Sequence, residues 1–123
     1  MCDILVVDDD PTFSGLIKTV LEFEGYKVIV EPNPDLVLSK ASQFKPVLLL
    51  MDVYSERGDT LEVLRDVRAV KSFDDTAIVM TSGMDRAADC LGAGADAFIL
   101  KPFRPDELIE LIADTLSGKE GDS

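Results

Sequence analysis

Five short apolar runs, at residues 4–7, 28–30, 47–51, 77–80 and 97–100, recur along the 123-residue chain, and several are unbroken rather than alternating. A strand with one wet face alternates apolar and polar residues, whereas a strand covered on both faces has no reason to. Between the runs the period changes. Phe13, Leu16, Ile17, Val20 and Leu21 are spaced to share one helical face, as are Leu61, Leu64 and Val67, and again Leu108, Ile109, Leu111, Ile112 and Leu116. Asp10-Pro11 and Pro34 stand where helices should start, and Gly25 and Gly118 where they should end. The segment 85–92 is short and alanine-rich, the weakest of the expected helices. Five βα units in succession predict an α/β domain with a parallel five-stranded sheet and helices on both faces. The natural topology is the doubly wound, flavodoxin-like (βα)5 order 2-1-3-4-5.

A chain of this length forms one domain and buries a substantial core without disulfides or structural metals. We expect that domain over residues 1–117, with 118–123 a polar tail and the stretch SGKEGDS frayed from Ser117 onward. Twenty-four acidic against twelve basic residues give a net charge of −12. That field repels nucleic acid and anionic membranes, so direct DNA binding by this domain and membrane attachment are not expected. Cys2 and Cys90 lack the spacing of a disulfide framework or metal site, and no secretory leader or membrane span is legible. The expected location is therefore cytoplasmic. The chain has no histidine, so chemistry must rest on carboxylates, hydroxyls and lysines.

In a doubly wound sheet, ligands bind beyond the carboxyl ends of the strands where the strand order reverses. Asp8 and Asp9 close the first run, Asp52 the third, Thr81 and Ser82 the fourth, and Lys101 the fifth. The reversal lies between the first and third strands, which brings Asp8, Asp9 and Asp52 into one crevice. Their mutual repulsion is relieved by a hard divalent cation, and magnesium suits a few carboxylates with water and a phosphate oxygen. A carboxylate can itself attack phosphorus, and Asp52 is the best placed because it follows a buried strand. Lys101 would offer charge and Thr81 a hydroxyl to the transferred group. Asp10, directly before Pro11, reads instead as a helix N-cap.

These residues, in the stretches ILVVDDDP, LLLMD, IVMTS, GADAF and ILKPF, resemble the receiver domain of bacterial two-component response regulators, chemotaxis regulators included. The likeness runs from about residue 3 to residue 116. The resemblance implies a phosphoacceptor domain that takes a phosphoryl group on Asp52 and changes conformation, with a sensor histidine kinase or histidine phosphotransfer protein as donor. It implies magnesium held by Asp9, by Asp8 through water, by Asp52 and by the backbone carbonyl of Tyr54. Thr81 and Lys101 would contact the phosphoryl group, Thr81 and Phe98 would form the switch, and Lys101-Pro102 would be cis. The output partner is unspecified, and a homodimer through the output face is left open.

The chain departs from that family in three places. The positions four and eight after the acceptor, often proline and glycine, are Glu56 and Thr60, so the loop 53–59 is expected to follow a different path. The span from Thr81 to Lys101 is about two residues short, which predicts a shortened fourth helix. Tyr54 and Gly83, two residues after Asp52 and Thr81, offer no acid or amide to orient a water, and slow self-hydrolysis is expected. Three other functions compete. A magnesium-dependent phosphohydrolase with an aspartyl nucleophile commonly has a second acid where Tyr54 stands. A flavodoxin-like cofactor protein would set three acids against an anionic phosphate. A degenerate, non-phosphorylated receiver acting as an interaction module is countered by the presence of every main site residue. On this reading the chain is not a turnover enzyme, and it catalyses only its own phosphorylation and dephosphorylation.

Overall fold

The computed structural model describes residues 2–121. Strands β1 (Ile4–Val7), β2 (Val28–Glu31) and β3 (Leu48–Asp52) alternate with helices α1 (Pro11–Phe23) and α2 (Val37–Phe44). A two-residue hairpin, β4 (Tyr54–Ser55) and β5 (Gly58–Asp59), follows β3 and leads into α3 (Leu61–Ala69). Then come β6 (Ala77–Ser82), α4 (Ala87–Gly92), β7 (Ala97–Leu100) and α5 (Pro105–Gly121). The main sheet is parallel throughout, in the order β2-β1-β3-β6-β7. This is the flavodoxin-like arrangement that the five apolar runs predict.

Each run divides its side chains between two cores. Leu5, Val7, Leu49, Met51, Ile78 and Met80 face α2, α3 and α4, where they meet Val37, Leu64, Val67 and Cys90. Ile4, Val6, Leu48, Leu50 and Val79 face the other way, against Ile17 and Leu21 of α1 and Leu108 and Ile112 of α5. Burial on both faces explains the unbroken hydrophobicity of β1, β3 and β6, since each fully buried Leu, Ile or Val contributes about 1.5–3 kcal/mol. The outer strands β2 and β7 are only partly covered.

The helix boundaries follow local chemistry. Asp10 caps α1, its Oδ1 accepting from the Thr12 and Phe13 amides at 3.0 and 3.2 Å, with Pro11 in the first turn. Gly25 lies just past the end of α1 at φ +96°, a conformation that costs other residues strain. The α1 stripe runs through Ser14, Ile17 and Leu21, and Leu16, expected on the inner face, is 58% exposed. At 100° per residue position 16 lies about 130° from the centre of a 14-17-21 stripe, so Leu16 turns to solvent while Ser14 takes an inner place. Val47, expected to begin the third strand, precedes it and is exposed.

Helix α4 spans six residues, as the short span before Lys101 predicts, and it has no side-chain N-cap. Helix α5 instead continues past Gly118 to Gly121, where an end and a frayed tail were expected. Lys119 supplies the reason, pairing with Asp96 at 3.1 Å and donating to the Asp74 carbonyl at 3.2 Å, which ties the last turns to the sheet. Residues 122 and 123 of the expected tail lie outside the described residues. Among the described residues no helix is long and apolar enough to cross a membrane.

Candidate functional site

Parallel strands end side by side, so the residues closing β1, β3 and β6 are delivered to one edge by backbone register alone. Val7 pairs with Met51, Met51 with Met80, and Asp52 with Thr81, while Ser82 pairs with Leu100 of β7. Asp8 and Lys101 each stand one residue beyond their strand, and the Lys101 amide donates to the Ser82 carbonyl at 2.8 Å. The side chains therefore converge. Lys101 Nζ donates to Asp52 Oδ2 at 2.6 Å and to Asp8 Oδ2 at 3.4 Å. Below the ammonium lies the Phe13 ring, 3.9 Å from Nζ to centroid, a contact that favours the charged form. The Lys101-Pro102 peptide is cis, as expected.

The electrostatics follow from burial. Asp8 is 5% exposed, and desolvation pushes its carboxyl above the usual range, aided by the neighbouring Asp52 charge and opposed by the Asp10 amide and Lys101. Burial works against the Lys101 charge as well. The hydrogen bond to Asp52 and the fields of Asp8 and Asp52 together outweigh it, and the ammonium is held above its ordinary value.

Asp9 sits on the same recess as Asp8, Asp52, Tyr54 and Thr60 but has a different partner, accepting from the Glu56 amide at 2.7 Å. Asp8 and Asp52 are thus joined through Lys101, while Asp9 ties down the loop after β3. Among the described residues no three His, Cys, Asp or Glu side chains converge as a metal cluster. The donor set is nonetheless that of a hard cation, three carboxylates around one recess with no nitrogen or sulfur ligand among them.

Thr81 is 1% exposed, and among the described residues its hydroxyl has no hydrogen-bond partner. An unpaired buried hydroxyl costs about 1–3 kcal/mol, so its retention beside Asp52 calls for a functional reason. Ser82 differs, its Oγ accepting from the Met84 amide at 3.1 Å in the turn after β6. Phe98 is half-buried and packs on the α2–α3–α4 core.

Three contributions were not legible in the sequence. Thr60 Oγ1 donates to the Asp52 carbonyl at 2.8 Å, and its amide donates to the Val53 carbonyl at 2.8 Å. Only its place eight residues after Asp52 hinted at a role. Phe13 reads as one more apolar helix position, although it lies under Lys101. Arg86 carries no signal at all, yet it bonds Tyr54, Asp59 and Asp89. The loop 53–59, expected to follow its own path, forms the β4–β5 hairpin, in which Tyr54 pairs with Asp59 and Ser55 with Gly58. The Tyr54 amide donates to Asp52 Oδ1 at 2.9 Å.

Residues 4–113 match the family described as response regulator receiver domain. The nitrogen assimilation regulatory protein NtrX of Azorhizobium caulinodans is 35% identical over 112 residues, 87% of this chain but 24% of NtrX. The chemotaxis protein CheY of Bacillus subtilis is 31% identical over 93% of this chain and 97% of its own length. A CheY-like receiver domain protein from Methanospirillum hungatei superposes with a TM-score of 0.89 at 31% identity, over 98% of both chains. The chain spans about a quarter to a half of the length of several curated relatives, NtrX among them.

Proposed function

The chain belongs to the response regulator receiver domain family and works as a phosphoacceptor module of two-component signalling, and from that premise we propose that Asp52 takes the phosphoryl group. One observation carries the assignment. Lys101 is held 2.6 Å from Asp52 beside a buried Thr81 hydroxyl that bonds to nothing else. The Asp52 carboxylate attacks phosphorus, the bond from phosphorus to the donor breaks, and negative charge gathers on the transferred oxygens. Lys101 compensates that charge, and the Thr81 hydroxyl donates to one of the oxygens. Phosphorylation thus pairs the orphan hydroxyl, and drawing Thr81 toward Asp52 lets Phe98 repack on the α4 side.

Asp8, Asp9 and Asp52, with the Tyr54 carbonyl, would hold magnesium. The bound cation offsets charge on phosphate oxygens. The chain has no histidine of its own, so a phosphohistidine donor is supplied by a partner kinase or phosphotransfer protein, and the encounter is placed in the cytoplasm. Receivers of this family modify only themselves, and the chain is not a turnover enzyme. The surface read by an output partner is part of the proposal only in that it lies around α4, β7 and α5.

The test is incubation with magnesium and a small acyl phosphate, followed by intact mass. One added phosphate is expected in the wild type and none in Asp52→Asn. Equal labelling of both proteins refutes the assignment.

A further inference from the structure

Arg86, at the start of α4, makes contacts that the phosphoacceptor chemistry does not use. Its Nη1 donates to Tyr54 Oη at 2.7 Å, and its guanidinium carbon lies 5.6 Å from the Tyr54 ring centroid. Nη2 reaches Asp59 Oδ2 at 3.3 Å, and Nε donates to Asp89 Oδ2 at 2.8 Å. One planar fork thereby joins both strands of the β4–β5 hairpin to α4. Holding a long surface side chain in one rotamer is entropically costly, and here a partner on each of the three guanidinium nitrogens offsets that cost.

Tyr54 is the residue this arrangement immobilises. It is 40% exposed, and besides Arg86 its hydroxyl has, among the described residues, only a 3.9 Å contact to Met84 Sδ. At its other end the Tyr54 amide holds Asp52 Oδ1, and the residue lines the Asp52 recess. Tyr54 therefore stands directly beside the carboxylate, on a recess that also holds Asp8 and Asp9.

We propose that Arg86 is a positioning residue, a latch that fixes Tyr54 across the mouth of the Asp52 recess and sets how fast small molecules reach the phosphoryl group. The inference rests on Asp52 as the acceptor. In hydrolysis a water oxygen bonds to phosphorus, the bond from phosphorus to Asp52 oxygen breaks, and inorganic phosphate leaves while the water proton passes to solvent. In phosphorylation Asp52 attacks a donor whose leaving group departs from the opposite side. Displacement is in line, so attacking water and departing donor use the same approach. Releasing the latch therefore accelerates both reactions together.

The experiment measures uptake of phosphate from a small acyl phosphate with magnesium, and its decay after donor removal, by intact mass. Arg86→Ala is expected to raise both rates by about tenfold, the factor that one charge-assisted hydrogen bond is worth. R86K, which keeps a cation over the ring, should recover part of the wild-type lifetime. In a Tyr54→Ala background, Arg86→Ala should have no further effect. Wild-type decay in R86A, or an equal acceleration by R86A with Tyr54 absent, overturns the latch while leaving the acceptor in place. Failure of the wild type to take up phosphate overturns the acceptor assignment and the latch with it.

Discussion

Gly94→Ala should be among the most damaging single substitutions in this chain, although it lies at the end of the sheet opposite Asp52 and adds one methyl group. Gly94 has φ +113°, which a residue with a Cβ adopts only under strain. A Cβ there would stand 2.5 Å from Arg68 Cγ and 3.2 Å from Arg68 Cβ. Those atoms belong to the stem of the arginine, fixed by α3, so the clash is relieved only by swinging the whole side chain. The guanidinium then leaves four oxygens. Nε donates to the Gly94 carbonyl at 2.7 Å, Nη1 to the Phe73 and Thr76 carbonyls at 2.9 Å each, and Nη2 to Asp96 at 2.7 Å.

The backbone strain is about 1–2 kcal/mol, and two or three lost bonds at about 1 kcal/mol each add a comparable amount. The sum, about 3–5 kcal/mol, is a large part of the 5–15 kcal/mol typical of a whole domain. Urea unfolding followed by circular dichroism measures it directly. R68A provides the control, because in its background the 2.5 Å clash with Cγ and the guanidinium bonds are gone, and only the strain and the 3.2 Å contact with Cβ remain. G94A should therefore cost about 2 kcal/mol less in R68A than in the wild type. A G94A cost below about 1 kcal/mol, or the same cost in both backgrounds, would refute the argument.

Thr81→Val removes an unpaired hydroxyl and should raise stability by about 1 kcal/mol while slowing phosphorylation; a loss of stability in urea would mean the hydroxyl has a partner. Lys101→Met strips the counter-cation from Asp8 and Asp52 and should cost about 2–4 kcal/mol at neutral pH in the presence of chelator, discounted for the partial exposure of the pair. The sign of its pH dependence follows from Asp8, whose raised carboxyl contributes stability below its ordinary pKa and loses it as pH rises through the folded value. The K101M deficit should accordingly widen from about pH 4 toward pH 7, and a flat deficit in pH-resolved unfolding would contradict this. Cys90 is fully buried and its thiol is pushed up to about 11, chiefly by desolvation. Alkylation at pH 8 should proceed at the rate of structural opening, and labelling as fast as a free thiol would show the α4 packing to be wrong.

The five apolar runs and their helical spacers were enough to establish the sheet and its order. Burial on both faces leaves an unbroken hydrophobic signature, and right-handed parallel crossovers leave few ways to connect it. Asp8, Asp52, Thr81 and Lys101 could be located for the same reason, because the end of a strand is a position along the chain. The likeness to receivers added proposed roles for them, and the cis peptide before Pro102. Other features depend on approach between segments far apart in sequence. Nothing near Phe13 announces that Lys101 will rest on it, nothing near Arg68 announces Gly94, and nothing near Arg86 announces Tyr54. Lys119 extends α5 beyond its glycine because Asp96 happens to lie within reach, and Asp9 turns to Glu56 rather than to Asp8 because the hairpin presents an amide there. Periodicity is written in neighbouring residues and so could be read from the sequence. The partner of each charged or polar side chain was chosen by tertiary packing, where the cost of leaving such a group unpaired is decided.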